Sequence, residues 1–255
     1  MPSGLMSFAY QVESERTTQE LTLEKINIWF TNYPKFIDAL FEVSYFIGNA
    51  KETESAEGHF YAFGHNILLR LPYTIRAICI LIERGFYYEA MSLVRNLLES
   101  FVQLRYFHKH KDKINLHILK QRIKLKTMFE EIVPGYYNNI YGTVFSEFAH
   151  GGFASSIFRV KYESAAVGEI TMGSKYNEMG CSFILNQVIL ILFGILNYIP
   201  IMFPQYSSLV PTETETKRIE SIAWLDEQIL KQRSVKQGTK EYYDLVDPLV
   251  RISAS

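Results

Sequence analysis

Arg95 and Glu99 are oppositely charged side chains four residues apart within the mostly apolar stretch 86–110. Because an α-helix turns by about 100° per residue, both would share one helix face with Tyr88 and Tyr106. An arginine held by a carboxylate on such a face is suited to binding a phosphate or stabilising negative charge. The alternative is an intrahelical ion pair with a structural role, worth roughly 0.2–0.5 kcal/mol.

A second polar stripe is predicted on a helix over residues 136–150. It consists of Asn139, Thr143, Ser146 and His150. At a helix C-terminus the dipole favours the imidazolium, which raises the pKa of a histidine and suits proton donation near neutral pH. His150 could equally be a C-capping residue. The predicted composite catalytic site is Arg95, Glu99, Ser146 and His150.

Glu147 and His150 also form a Glu-x-x-His unit, which is found in carboxylate-bridged dimetal bundles. Such bundles need two copies of the unit, and this sequence has one. Neither the six histidines nor the two cysteines show the spacing of a convincing metal site. We therefore expect no metal ion and no cofactor.

Residues 105–126 carry eight Lys or Arg residues against one Asp, in a chain whose formal net charge is -1. This local excess is typical of a surface that binds the phosphates of a nucleic acid. The alternative is a solvated surface balanced by acidic segments elsewhere. The predicted nucleic-acid-binding residues are Lys109, Lys111, Lys113, Lys120, Arg122, Lys124 and Lys126.

The elements that position these residues are predicted to be helices. Apolar residues recur at three- and four-residue intervals, and 48% of the residues are hydrophobic. We predict an all-α helical bundle with at most one short β-hairpin, near residues 157–172. The 255 residues fit a single domain, 1–255, with a core of about 18–235 and a loosely attached tail, 236–255.

Prolines are expected to mark several helix boundaries. Pro34 should begin the second helix, and Pro72 should kink or break the third. Pro200 and Pro204 should end a later, apolar helix. A last helix, about 212–233, is highly charged and is expected to be exposed.

Residues 181–210 contain no charged residue. A membrane-spanning helix needs about 20 apolar residues, but Asn186, Gln187 and Asn197 interrupt this segment. We expect a helix buried in the core or in a two-fold interface, because a helix that is apolar on all sides is typical of a bundle centre. A membrane span is the alternative.

Cys79 and Cys181 lie in apolar runs, which indicates buried thiols in a reducing compartment. The N-terminal residues lack a basic start followed by an apolar stretch, so no signal peptide is predicted. We expect a cytoplasmic protein that does not bind membranes.

The stretch GFYYEAMSLVRNLLESFVQLRYF has an A-x-x-L-x-R-x-L-x-E core and is followed about fifty residues later by SEFAHGG. Both motifs resemble those of an uncharacterised family of bacterial helical proteins that is similar to the HEPN superfamily. The resemblance covers roughly residues 60–200. It implies a homodimeric helical bundle and a metal-independent ribonuclease acting as a toxin or in antiviral defence. The implied partners are RNA and an inhibitory or defence-system protein.

The HEPN motif is an arginine followed, after four to six residues, by a histidine, and the chain departs from it before His150. Residues 143–145 are Thr, Val and Phe. Either Arg95 supplies the positive charge from the neighbouring helix, or the chemistry has been lost and the fold serves binding. Arg105 and His110 fit the motif's spacing and form the second candidate catalytic pair.

We therefore expect a HEPN-like metal-independent endoribonuclease. The alternative is a non-catalytic helical module that binds or senses a nucleic acid, a nucleotide or a protein partner. Exposure separates the two, because polar groups open to a cleft favour chemistry and groups sealed in the core favour a structural role.

Overall fold

The computed structural model describes residues 8–49, 56–119, 122–146, 160–164, 167–170, 174–233 and 240. Its helices are α1 Phe8–Lys25, α2 Asn27–Gly48, α3 Ala56–Glu83, α4 Tyr87–Lys109, α5 Ile114–Leu119, α6 Leu125–Ile132, α7 Glu178–Met202, α8 Tyr206–Leu209 and α9 Thr212–Arg233. A 3₁₀ turn, Lys111–Lys113, precedes α5, and a π-helix, Tyr137–Phe145, follows α6. The predicted all-α bundle is confirmed.

The hairpin expected near residues 157–172 is a pair of short antiparallel strands. They are β1, Val160–Ser164, and β2, Val167–Ile170. Val160 pairs with Ile170, and a register shift separates this end from the pair next to the turn. No further strand occurs in the part of the chain that the structure describes.

Five helices form a closed ring in the order α2, α3, α4, α7, α9, and α9 packs back against α2. At one end of the ring the backbone N–H of Asn177 donates to the Tyr87 hydroxyl at 3.0 Å. At the other end His108 Nδ1 lies 3.0 Å from the Tyr198 hydroxyl. The two contacts join the starts and the ends of α4 and α7, so these helices run parallel. Two parallel helices need a connection that returns along the length of the bundle. Here the connection from α4 to α7 contains α5, α6, the π-helix and the hairpin.

The charge-free segment, residues 181–210, forms most of α7, and apolar side chains lie on every face of this helix. Ile184, Val188, Leu192 and Ile195 are all fully buried. Two helical stretches are long and apolar enough to cross a membrane by length and composition alone, Glu57–Glu83 and Glu178–Met202. In the second, 72% of the most apolar window is buried inside the protein, against 39% in the first. The packing of α7 therefore agrees with a core helix of a bundle.

Prolines lie inside helices at positions where the sequence predicted boundaries. Pro34, Pro72 and Pro200 are interior residues of α2, α3 and α7, so the predicted boundary at Pro34 is wrong, whereas α7 ends at Met202, between Pro200 and Pro204. Proline removes one backbone hydrogen bond from a helix. Burial of the adjoining turns offsets that loss, as with Leu71 and Ile75 around Pro72.

The prediction that the last helix is exposed is also wrong, because one side of α9 packs into the ring. Thr214, Arg218, Ser221, Leu225 and Gln228 are buried along this side. Four of these five residues are polar, which is why the sequence pattern did not reveal a buried face. The predicted tail lies outside the described residues, apart from 240.

Candidate functional site

Arg95, Glu99 and Tyr141 form a hydrogen-bonded cluster where α4 meets the π-helix. Arg95 Nε donates to Glu99 Oε1 and to the Tyr141 hydroxyl, at 2.9 Å in each case. The Tyr141 hydroxyl in turn donates to Glu99 Oε1. The Arg95 and Glu99 side chains keep 25% and 23% of their surface exposed. The predicted pairing of Arg95 with Glu99 is therefore present, with a third member that joins two elements.

The protonation states in this cluster reinforce one another. Burial tends to lower the pKa of Arg95, but the hydrogen bond to Glu99 and the contact with Tyr141 outweigh it, so that pKa lies above its ordinary value. Burial and the neighbouring Glu99 carboxylate both raise the pKa of Tyr141. The arginine therefore stays charged and the tyrosine stays protonated at any physiological pH.

Tyr141 belongs to a column of cations and aromatic rings that continues to the surface. The Arg95 guanidinium carbon lies 4.8 Å from the centroid of the Tyr141 ring. The Tyr141 ring stacks on that of Tyr137, with centroids 5.2 Å apart and an interplanar angle of 25°. Lys126 Nζ lies 5.8 Å from the centroid of Tyr137. This cation–aromatic column joins a residue of the predicted catalytic site to one of the predicted nucleic-acid-binding residues.

The π-helix explains why Tyr141 lies beside Arg95. Its hydrogen bonds join residues five apart, as in the bond from the Ser146 backbone N–H to the Tyr141 carbonyl. The wider turn gives a smaller rotation per residue than the 100° assumed for an α-helix. Consequently Tyr137 and Tyr141, four apart, stack almost directly. π-helical geometry is rare, and single π-helical turns inside α-helices occur frequently at functional sites.

Of the two catalytic residues predicted on the second polar stripe, the structure describes Ser146 but not His150. Ser146 is half-buried and directly follows the π-helix, five residues after Tyr141. His150 lies outside the described residues, as does Glu147. The convergence of His150 on Arg95 therefore stays a prediction.

The second candidate pair, Arg105 and His110, is not brought together. Arg105 is only 6% exposed, and its guanidinium carbon lies 5.0 Å from the centroid of the Tyr198 ring on α7. Burial lowers the pKa of Arg105. His110 lies at the surface, where its Nε2 is 2.7 Å from Glu131 Oε1 on α6. The two side chains therefore face different partners, and Arg105 is closed off from a substrate.

Some of the basic residues in 105–126 are paired with carboxylates and others are not. Lys109 pairs with Glu131 at 3.1 Å, and Lys111 pairs with Glu57 at 2.5 Å. Lys113 Nζ lies 5.7 Å from the ring centroid of Tyr106. Arg122, Lys124 and Lys126 are exposed, and Lys120 lies outside the described residues. The part of the run best able to meet an anion is thus the turn before α6 and the first residues of α6.

Sequence reasoning missed Tyr141 and Glu131. Burial tends to raise the pKa of Glu131, but the hydrogen bonds that it accepts from His110 and Lys109 together outweigh burial and hold that pKa below its ordinary value. Tyr141 carried a signal that was available, since Tyr137, Tyr141 and Phe145 recur every four residues. No sequence pattern indicated that Glu131 would reach the end of α4.

No cluster of metal-binding side chains occurs in the described ranges. Within them, no set of three or more His, Cys, Asp or Glu side chains is arranged to hold a metal ion. The single Glu-x-x-His unit, Glu147 and His150, lies outside the described residues.

The chain is similar to one protein family over part of its length. Residues 61–143 match the model of a family of unknown function (DUF5677). The matched stretch runs from α3 into the π-helix and includes Arg95, Glu99 and Tyr141. No curated protein and no solved structure matches the chain.

Proposed function

We propose that this protein is a HEPN-like metal-independent endoribonuclease that acts on single-stranded RNA. The observation that carries the proposal is the cation–aromatic column Arg95, Tyr141, Tyr137 and Lys126. Proteins that bind single-stranded nucleic acid combine positive charge with aromatic rings on which bases stack. The column supplies both: Arg95 and Lys126 carry the charge, the half-buried Tyr137 ring is accessible, and the buried Tyr141 ring supports them from beneath.

Arg95 is proposed to bind the scissile phosphate. Its Nε is engaged by Glu99 and Tyr141. Within the described part of the chain, its two terminal nitrogens have no hydrogen-bond partner. Two parallel N–H groups match two phosphate oxygens, and the arrangement stabilises the charge that develops on phosphorus.

His150 is the proposed general acid or base. The RNA 2′-oxygen attacks the adjacent phosphorus, and its proton passes to a base. The bond from phosphorus to the 5′-oxygen then breaks, and that oxygen receives a proton from an acid. The products are a 2′,3′-cyclic phosphate and a 5′-hydroxyl. Ser146 would hold His150 or contact the phosphate.

Lys126, with Arg122 and Lys124, is proposed to contact the RNA backbone on either side of this site. Each such contact releases counterions, so affinity should fall steeply with salt. The half-buried Tyr137 ring is the proposed platform for an unpaired base, which would lie beside Lys126, with a stacking contribution of roughly 1–3 kcal/mol.

The test is cleavage of a labelled single-stranded RNA in the presence of EDTA. We expect products ending in a 2′,3′-cyclic phosphate, and no cleavage of the all-deoxy strand of the same sequence. His150→Ala should abolish cleavage and Arg95→Ala should reduce it by roughly 100-fold or more. Arg16→Ala removes an exposed arginine on α1 and should cleave like the wild type. Full activity in His150→Ala would refute the assignment.

A non-catalytic binding module is the second candidate. The observation that favours it is that Arg95 Nε, Glu99 and Tyr141 are joined by three hydrogen bonds, as in a structural network. RNA binding without any cleavage would support this alternative. It should be salt-dependent and weakened by Lys126→Ala.

The cellular role that we propose for the ribonuclease is growth arrest as a toxin or in antiviral defence, with the protein acting as a homodimer. Expression of the wild type in a bacterial host should degrade RNA and arrest growth, whereas His150→Ala should do neither. Light scattering on the purified protein tests the dimer. An inhibitory or defence-system protein is the proposed partner.

A further inference from the structure

A groove follows the seam between α2 and α9, on the far side of the helix ring from α4. It consists of two adjoining hollows, of about 280 Å³ and about 520 Å³, which share Lys217 as a wall. The smaller hollow is close to the lower end of the size range of ligand pockets in proteins. Because α4 carries Arg95, this groove is separate from the proposed ribonuclease site, and its assignment does not depend on that proposal.

Aromatic side chains form the floor of the smaller hollow. Phe36 and Trp224 line it, with ring centroids 5.1 Å apart. Trp29 lies behind them, 5.8 Å from Trp224. Phe36 and Trp29 are almost fully buried, whereas Trp224 is half-buried. The Trp224 indole is therefore held in place by the packing of Phe36 and Trp29, and its accessible part can contact a ligand.

The two lysines that line this hollow are already engaged. Lys217 Nζ lies 2.5 Å from Glu42 Oε1 and 3.6 Å from Glu213 Oε1. Lys35 Nζ donates to Asn32 Oδ1 at 3.2 Å. An anionic ligand would have to compete with Glu42 and Glu213 for Lys217. Only Lys35, which is bonded to a neutral amide, could pair with it without displacing a carboxylate.

Two carboxylates in the hollow have no such partner. Asp38 on α2 and Glu220 on α9 both line it, one from each helix, and both side chains are exposed. Neither forms an ion pair or a hydrogen bond within the described part of the chain. Lys217 is neutralised by Glu42 and Glu213. The positive charge of Lys35 therefore stands against the two carboxylates, and the net charge above the Trp224 indole is negative.

We propose that the smaller hollow binds a small organic ammonium ion. The ammonium group would lie between Asp38 and Glu220, and the apolar body of the ligand would rest on Trp224. An aromatic face attracts a cation through its quadrupole, and the carboxylates add charge-assisted hydrogen bonds. The larger hollow, lined by Phe41 and Phe46 beyond Lys217, gives room for a longer apolar body.

Trp224 gives the binding test a direct readout, because the chain has two tryptophans. Their indole N–H signals can be followed by nitrogen–proton correlation spectroscopy, with Trp224→Phe assigning them. The probes are phenethylamine, the neutral phenethyl alcohol and the anionic 3-phenylpropionate. We expect phenethylamine to shift the Trp224 signal at the lowest concentration. The Trp29 indole, whose N–H donates to Cys79 Sγ at 3.4 Å, should move less.

Two double variants separate the proposed site from general electrostatic attraction. Asp38→Asn with Glu220→Gln keeps the shape of the hollow, and should weaken phenethylamine binding roughly tenfold. Glu20→Gln with Glu24→Gln removes the same charge from exposed positions on α1, and should leave binding unchanged. Equal binding of the alcohol and the amine, preference for the carboxylate, no binding of the amine, or equal weakening by both double variants would each overturn the proposal.

Discussion

The Tyr141 hydroxyl lies 2.9 Å from Arg95 Nε while its ring lies beneath the Arg95 guanidinium, so one tyrosine positions the arginine in two ways. The hydroxyl fixes the orientation of Arg95 through Nε, and the ring supports the guanidinium plane. Glu99 completes the cluster from the same helix as Arg95. Positioning of this kind reduces the rotamer entropy that a flexible arginine loses when it binds a phosphate.

Replacing Tyr141 by phenylalanine tests the role of its hydroxyl. The ring contact with Arg95 remains, but hydrogen bonds to both charged partners are lost. We expect the free energy of unfolding to fall by about 1–2 kcal/mol, because hydrogen bonds to charged groups are stronger than neutral ones and the site is partly exposed. Denaturant unfolding monitored by circular dichroism gives the value.

Tyr137→Phe is the matched control for this measurement. Its hydroxyl has no hydrogen-bond partner within the described ranges, and its ring is half-buried. Stability should therefore change by less than about 0.5 kcal/mol. An equal loss in both variants would mean that the hydroxyl of Tyr141 is not what joins the π-helix to α4.

The pairing of Arg95 with Glu99 was predictable, whereas the four-residue recurrence that includes Tyr141 did not indicate which residues it would contact. Four-residue spacing places two side chains together in any α-helix. Tyr141 reaches them only because residues 137–145 form a π-helix, and the sequence pattern there was interpreted with α-helical geometry. Tertiary packing decided the local hydrogen-bonding pattern, which a single sequence does not encode in its periodicity.

The burial of α7 could be predicted from the sequence, whereas the burial of one face of α9 could not. The segment around Val188 is apolar in every direction, so its place in the core follows from the hydrophobic effect alone. Arg218, on α9, is charged but buried, because it finds Glu215 at 2.6 Å and the Leu196 carbonyl at 2.6 Å. A polar residue that is paired can be buried, and the sequence does not indicate which polar residues have partners.

The contribution of the Glu215 carboxylate to the stability of the protein should be lost in acid. Arg218, foremost, and the Tyr206 hydroxyl hold the pKa of Glu215 below its ordinary value, against the opposing effect of burial. Because the folded pKa is the lower one, the unfolded chain takes up a proton first as the pH falls. The contribution of Glu215 to stability is therefore complete above pH of about 4.3 and is lost as the pH falls through the folded value.

Unfolding in urea at pH 7 and at pH 3.5 tests this dependence, with the difference in free energy compared between proteins. Glu215→Gln should show a smaller difference than the wild type. Glu20→Gln, which removes an exposed carboxylate on α1, should behave like the wild type. An unchanged difference in Glu215→Gln would contradict the assigned role of the Arg218–Glu215 pair.

The two cysteines should resist alkylation in the folded protein. Cys79 and Cys181 are both fully buried, and burial raises the pKa of each thiol to about 12. The thiolate is the reactive form, so almost none is present at pH 8 and the reagent also lacks access. Mass spectrometry after iodoacetamide treatment should find no adduct on the native protein and adducts at both positions in denaturant. Rapid labelling of either cysteine in the native protein would show that α3 or α7 opens readily.

The burial of α7 predicts that the protein stays in the aqueous phase when a Triton X-114 solution is warmed above its cloud point. Two polar side chains of this helix have partners within the protein, since Gln187 Oε1 accepts from the Tyr136 hydroxyl at 3.2 Å and Asn197 Nδ2 donates to the Phe193 carbonyl at 2.8 Å. A helix whose apolar surface is covered by α4 and α9 gains little from transfer to a detergent micelle. After partial unfolding in urea, the exposed helix should instead carry the chain into the detergent phase or into aggregates. Recovery of the untreated, folded protein in the detergent phase would mean that the apolar surface is open, and would restore the membrane alternative for residues 181–210.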